Sequence, residues 1–151
     1  MEIEIRITDP RIGNDFPLPD YATDGSAGKD LCACLDKPVN IAPAETAVIG
    51  TGIAIFINNP DYMAFMAPRS GLGVKHGIVL ANTVGIIDSD YQDEIKAALY
   101  NRGQKPYVIQ PGERICQLII VPVARATLKI VERFSAASKR GTGGFGSSGR
   151  F

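Results

Sequence analysis

The sequence predicts an all-β domain with at most a short helix. Alternation is the first reason. From Glu2 to Thr8, Ile3, Ile5 and Ile7 share one face while Glu2, Glu4 and Arg6 share the other. Punctuation is the second. Turn formers break the chain at short intervals, as in Asn58-Asn59-Pro60, Asn101-Arg102-Gly103 and Pro111-Gly112. Composition is the third, because 16 glycines and 10 prolines leave little room for helices. Many short strands with regular turns imply a sandwich, jelly roll or barrel.

After Glu2–Thr8, Cys32 and Cys34 alternate with Ala33 in an apolar run, which suits small buried hydrophobes on a strand. Short strands are expected at Val39–Ile41 and Ala47–Ile49. Ile53, Ile55 and Ile57 repeat the alternation. Further strands are expected at Tyr62–Ala67, Ile78–Leu80, Glu94–Tyr100 and Tyr107–Ile109. Ile115 to Val121 has few polar breaks, so both of its faces should be covered. Thr127 to Phe134 is a last strand candidate, and Gly71 to His76 is the best helix candidate.

A chain of 151 residues is one domain on length, spanning residues 1–151, and buries roughly 68–70% of its unfolded surface. Sixteen basic and sixteen acidic residues cancel. No bulk field then favours nucleic acid or an anionic membrane, and neither is expected as a partner. Three cysteines without a Cys-x-x-Cys spacing argue against a disulfide framework and a zinc site. No apolar run approaches the roughly 20 residues that span a bilayer, and no secretory signal follows Met1. A reducing, cytoplasmic compartment is the expectation.

Familiar chemistries fail on inspection. His76 is the single histidine, so a histidine-based metal site is excluded. Ser70 lies in Pro68-Arg69-Ser70-Gly71, without the Gly-x-Ser-x-Gly elbow of a nucleophile. Gly141-Thr-Gly143-Gly-Phe-Gly146 matches a dinucleotide fingerprint, but only five residues follow it. No helix can form there to receive a pyrophosphate.

Four segments carry more glycine and polarity than a strand scaffold needs. Ala22-Thr-Asp-Gly-Ser-Ala-Gly-Lys-Asp30-Leu31 reads as a loop before a strand. Pro68-Arg69-Ser70-Gly71-Leu72-Gly73 is either a plain turn or a set of arginine, hydroxyl and amide donors suited to a phosphate. In Asn82-Thr-Val-Gly85-Ile86-Ile87-Asp88-Ser89-Asp90-Tyr91, Asp88 and Asp90 share a face if extended. Such a pair suits a general base or a hydrated Mg²⁺, and it also suits a turn that caps its own amides. Asn82 offers a donor and an acceptor, the equipment for reading a base edge. The tail, Lys139 to Phe151, is the fourth. Five of its nine residues from Gly141 to Gly149 are glycine, yet Phe145 sits among them and Arg140 and Arg150 flank them.

The order of these segments, with Gly112-Glu113-Arg114-Ile115-Cys116-Gln117 before the tail, resembles the five motifs of the homotrimeric dUTPase family, bacterial type. The resemblance runs from Asp9-Pro10-Arg11 to Gly149. It implies a distorted antiparallel jelly-roll or β-clip barrel with a flexible C-terminal arm, residues 135–151, that closes the active site. It implies hydrolysis of dUTP to dUMP and pyrophosphate with Mg²⁺, which keeps uracil out of DNA and supplies dUMP for thymidylate synthesis. It implies a homotrimer with sites shared between subunits.

Residue by residue, the resemblance makes Asp88 the base that activates water and a contact of the 3′-hydroxyl. Tyr91 packs under the sugar. Asn82 reads uracil with backbone at Gly85, Ile86, Ile87 and Lys96. Arg69, Ser70, Gly71 and Gln117 hold phosphates, and Asp30 supports the hydrated metal through water. In the arm, Arg140 reaches the γ-phosphate, Phe145 stacks on uracil, and amides at Gly146, Ser147 and Ser148 wrap the triphosphate. Some positions depart from the family pattern: Asp93 stands where glycine is common, Glu94 adds a second acid, Lys96 replaces an apolar residue, and Ala81 and Lys29 are also unusual. The related dCTP deaminase branch is the runner-up, and the Asn82–Tyr91 segment and Phe145 favour dUTPase.

Overall fold

In the computed structural model, residues 1–144 are described. Eleven strands and one short helix account for the regular structure among them. In chain order the elements are β1 Glu4–Ile7, β2 Lys29–Cys32, β3 Val39–Ile41, β4 Thr46–Gly50, β5 Ile53–Phe56 and β6 Tyr62–Pro68. Then come α1 Ser70–Lys75, β7 Ile78–Leu80, β8 Gly85–Ile87, β9 Lys96–Asn101, β10 Tyr107–Ile109 and β11 Arg114–Pro122.

Every strand pairing is antiparallel, and the strands form four sheets. The largest runs β2-β11-β6-β8, a second runs β4-β9-β7, and β1-β5 and β10-β3 are two-stranded. The architecture is jelly-roll-like, and none of these sheets closes into a barrel. Leu31, Ile41, Ile49, Ile53, Ile78, Leu80, Leu99, Ile109 and Ile115 meet in one buried cluster. Each such side chain contributes about 1.5–3 kcal/mol through burial.

Covered faces explain the sequence patterns in part. β11 pairs β2 along one edge and β6 along the other, so it is an interior strand; Ile115, Cys116 and Leu118 are buried, but Ile119, Ile120 and Val121 stay partly exposed, so its faces are not both fully covered as expected. In β5, Ala54 is buried along with Ile53 and Ile55, so this strand is covered on both sides. β1 behaves differently. Its partner is β5 alone, and Ile5 and Ile7 stay 47% and 40% exposed despite the clean alternation.

Another expectation needs correction. Thr127–Phe134 is not a strand. Leu128, Ile130 and Phe134 are 90%, 98% and 90% exposed, because no strand of the described chain pairs with this stretch. A pattern of apolar residues cannot form a ladder without an edge to bond. Of the two forms open to Asp88 and Asp90, extended or turn, the structure takes the turn: they follow β8, and the Tyr91 amide donates to the Asp88 carbonyl at 3.2 Å.

The three cysteines are free, and burial pushes the Cys116 thiol up to about 12. Cys32, which ends β2, and Cys116 are buried packing groups, whereas Cys34 lies beyond the strand and is only partly buried, so the expected alternation on a strand does not hold there. His76 is exposed, with its ring 4.8 Å from that of Tyr107. Among the described residues, no helix is long and apolar enough to cross a membrane.

Candidate active site

The predicted site residues fall into two groups on opposite stretches of β6. The first group forms a polar platform at its C-terminal end. Sheet register puts Asp30 of β2 beside Gln117 of β11, and Gln117 beside Ala67 of β6. Arg69 follows directly after β6. Its Nε lies 3.1 Å from Asp30 Oδ1, and its Nη1 donates to the Arg114 carbonyl at 2.9 Å. Arg114 Nη1 stands 3.6 Å from Asp30 Oδ2. One carboxylate therefore orients two guanidiniums.

Arg114 was not among the predicted site residues, although its Gly112-Glu113-Arg114 motif was visible. A bulge between Arg114 and Cys116 brings it there: two steps along β11 oppose one step along β2. Gln117 Nε2 donates to the Pro68 carbonyl at 3.1 Å. Gly28 is bare for a reason, since a Cβ there would stand 2.8 Å from Ile119 Cγ1 and 3.2 Å from Gln117 Oε1. Ser70 and Gly71 open α1, both exposed. Arg69 is its N-cap and makes no side-chain cap hydrogen bond, so no side chain of that residue occupies the first-turn amides.

The second group lines a cavity of about 210 Å³: Asn82, Gly85, Ile86, Ile87, Asp88, Tyr91 and Lys96, with Met66 and Ile95. The loop from Ala81 to Val84 leaves one sheet at β7 and enters another at β8. Thr83 takes φ 63°, a region that β-branched residues avoid. Two hydrogen bonds compensate: its amide donates to the Leu80 carbonyl at 2.9 Å and its hydroxyl to the Asn82 carbonyl at 2.6 Å. The strain therefore sits beside the residue equipped to read a base edge.

Gly85 lets β8 approach β6. An added Cβ would stand 2.8 Å from Met66 Cβ and Cε; the flexible Cε could swing away, but the Cβ is tied to the β6 backbone and could not. A Gly85→Ala variant is expected to push β8 outward and deform the cavity. Nucleotide affinity should fall at least tenfold, the scale of one lost buried hydrogen bond, as read by titration calorimetry. Wild-type affinity would show that the cavity tolerates the shift.

Asp88 sits on the rim between this cavity and a neighbouring one of about 590 Å³, whereas Asp90 lines only the latter. The two carboxylates share the larger cavity, and only Asp88 also borders the smaller one. Tyr91 is half exposed, and its hydroxyl donates to the Glu94 carbonyl at 3.1 Å.

Arg140 belongs to neither group. Its Nε donates to the Gly143 carbonyl at 3.0 Å on an exposed stretch. Phe145, Gly146, Ser147 and Ser148 lie outside the described residues.

Known proteins share both the sequence and this architecture. The protein-family model for dUTPase matches residues 14–149. The deoxyuridine 5′-triphosphate nucleotidohydrolase of Idiomarina loihiensis is 57% identical over 149 residues, covering 99% of this chain and 98% of that protein. The chain belongs to the dUTPase family. The Serratia proteamaculans protein of the same name is 58% identical, covering 99% and 97%. Among solved structures, a dUTPase of Staphylococcus bacteriophage 80alpha with dUPNHPP superposes with a TM-score of 0.86. It is 28% identical and covers 98% of both chains. As in other dUTPases, enzyme chemistry is then the frame for the two residue groups.

Whether Mg²⁺ fits is a question of donors. Among the described residues, no three His, Cys, Asp or Glu side chains converge on a point. A cage of side chains within one subunit does not fit the described residues. Asp30 is partly exposed and keeps lone pairs beyond its two arginine contacts, so it fits a water-mediated contact to an ion carried by phosphate oxygens.

Proposed function

We propose that this chain hydrolyses dUTP to dUMP and pyrophosphate, as a homotrimer whose active sites are shared between subunits. The reading rests on the separation of the two residue groups along β6. Ile87 pairs with Ala64, five residues from Arg69, and Asp88 follows Ile87 in the turn beyond β8. At about 3.3 Å per residue, five residues span about 16–17 Å. Gly85, at the cavity, is level with Met66, closer to Arg69. A nucleotide whose base enters the cavity and whose sugar reaches Asp88 therefore runs away from Arg69 of its own chain. Its phosphates need the platform of another copy.

Exposed apolar chain supports assembly. Leu128, Ile130 and Phe134 lie outside every strand and are 90%, 98% and 90% exposed, so the described chain leaves them uncovered. Such stretches mark interaction surfaces.

In this reading, uracil enters the cavity beside Asn82 and the backbone of β8. The Tyr91 ring lies beneath the deoxyribose and leaves no room for a 2′-hydroxyl. The Asp88 carboxylate takes a proton from a water. The water oxygen bonds to the α-phosphorus as the α–β bridging bond breaks, and pyrophosphate leaves. Arg69, the first-turn amides of α1, Gln117 and Arg140 of the arm hold the charge that grows on it. Asp30 would hold a hydrated Mg²⁺ carried by the triphosphate, and such an ion would supply charge that neutralises the phosphates. The Gly-rich arm, residues 135–151, closes over the site with Phe145 on the uracil and excludes bulk water.

The test is pyrophosphate release from dUTP, UTP, dTTP and dCTP with Mg²⁺. Strong preference for dUTP is expected. Ammonia release from dCTP without pyrophosphate would overturn the reading in favour of a deaminase.

A further inference from the structure

Glu94 is one of the residues that depart from the expected pattern, and its surroundings are built for it. Its Oε1 accepts from the Gly52 amide at 3.0 Å. Gly50 provides the space: a Cβ there would stand 2.6 Å from the same Oε1. Between these glycines, the Thr51 amide and hydroxyl both donate to the Ile95 carbonyl, at 3.1 and 2.7 Å. The Ile95 amide in turn donates to the Ile53 carbonyl at 2.8 Å. The turn Gly50-Thr51-Gly52, between β4 and β5, thus grips residues 94 and 95 through both backbone and side chains.

What is gripped leads directly to the candidate site. The Tyr91 hydroxyl donates to the Glu94 carbonyl at 3.1 Å. The Asp93 carboxylate caps the Glu94 amide at 2.7 Å, and Arg6 Nη2 donates to the Gln92 carbonyl at 3.0 Å. Tyr91 is 41% exposed, so packing alone does not hold its ring. Its far end is held by the Glu94 carbonyl, which is only as steady as residue 94.

We propose that Glu94 is a positioning residue for Tyr91: its carboxylate, seated on the Gly50–Gly52 turn, fixes the carbonyl on which the Tyr91 hydroxyl docks, and so sharpens discrimination between deoxyribose and ribose nucleotides. The proposal rests on the reading of Tyr91 as the residue beneath the sugar. Asp93 needs no positive φ, unlike a glycine that bends the chain, so it adds a cap without loosening the turn.

Four variants test it through kcat/KM for dUTP and for UTP, with melting temperatures alongside. Glu94→Ala removes the acceptor. The dUTP-to-UTP ratio is expected to fall roughly tenfold, the weight of one hydrogen bond, mostly through KM with kcat for dUTP little changed. Gly50→Ala attacks the same contact from the other side. Its methyl needs the position of Glu94 Oε1, and the flexible carboxylate must swing out, so the ratio should fall similarly. The double variant should be no worse than either single one, because the methyl then meets no carboxylate. Glu94→Gln keeps an oxygen that accepts from Gly52 and should retain most of the discrimination.

Should Glu94→Ala fail to fold, Gly50→Ala and Glu94→Gln decide. Full discrimination in the alanine variants, or its loss in Glu94→Gln, overturns the role of Glu94 alone. A wild-type enzyme without preference for dUTP over UTP overturns the proposed function instead.

Discussion

An Asp88→Asn variant is expected to fold normally, bind dUTP and barely turn it over. Asp88 is exposed, and the hydrogen bond that closes its turn uses its backbone carbonyl, which asparagine keeps. Surface changes of this kind usually stay within about 0.5 kcal/mol of wild-type stability. The chemical effect is much larger. Loss of a general base costs about 10²–10⁴-fold. Asparagine is nearly isosteric but cannot take the proton. Pyrophosphate release should fall by that factor, while the melting temperature and the affinity for a non-hydrolysable dUTP analogue hardly move. Turnover at the wild-type rate would remove Asp88 from the mechanism.

The second large effect is recovery of activity from two inactive proteins. Arg69→Ala should also be nearly inactive, because it empties the platform that Asp30 organises. Neither variant works alone. If Asp88 and Arg69 of one site come from different subunits, mixed trimers contain sites with an intact copy of each. With random exchange of equal amounts, a site needs its base from one variant and its arginine from the other, and about a quarter of sites qualify. Mixing under conditions that allow subunit exchange should therefore restore about a quarter of wild-type turnover. If both residues served a site from the same chain, the mixture would stay as inactive as its parts. The spacing of about 16–17 Å along β6 from Ala64, the partner of Ile87, to Arg69 supports the first outcome.

Much of the fold was legible in the sequence because a strand's signal is local. The runs at Val39–Ile41, Ile78–Leu80 and Tyr107–Ile109 match the strands residue for residue. Each is a short β-branched or aromatic run bounded by turn residues. The helix at Ser70–Lys75 was found within one residue. The strands at Lys29–Cys32 and Gly85–Ile87 were harder to see. Both lie within glycine-rich motifs whose composition reads as loop. Thr127–Phe134 failed in the opposite direction. Alternation is a property of the segment, but a strand is a property of a pair.

For the site, sequence alone determined which residue types were present and in what order: the Asn82–Tyr91 segment, the Arg69 motif and the glycine-rich arm. These sufficed for the family, because motif order survives without coordinates. Only the tertiary structure decided how those residues group. It joined Asp30 to Arg69 and Arg114, left Asp90 off the smaller cavity that Asp88 borders, and set Ile87, just before Asp88, against Ala64, five residues from Arg69. It also gave Glu94 a seat on a distant turn, where the sequence offered only an unusual acid. The physical reason is the same each time. Residue identity and local periodicity are written along the chain. Register between strands, a bulge that turns one arginine, and room left by a missing Cβ arise only when distant segments pack together.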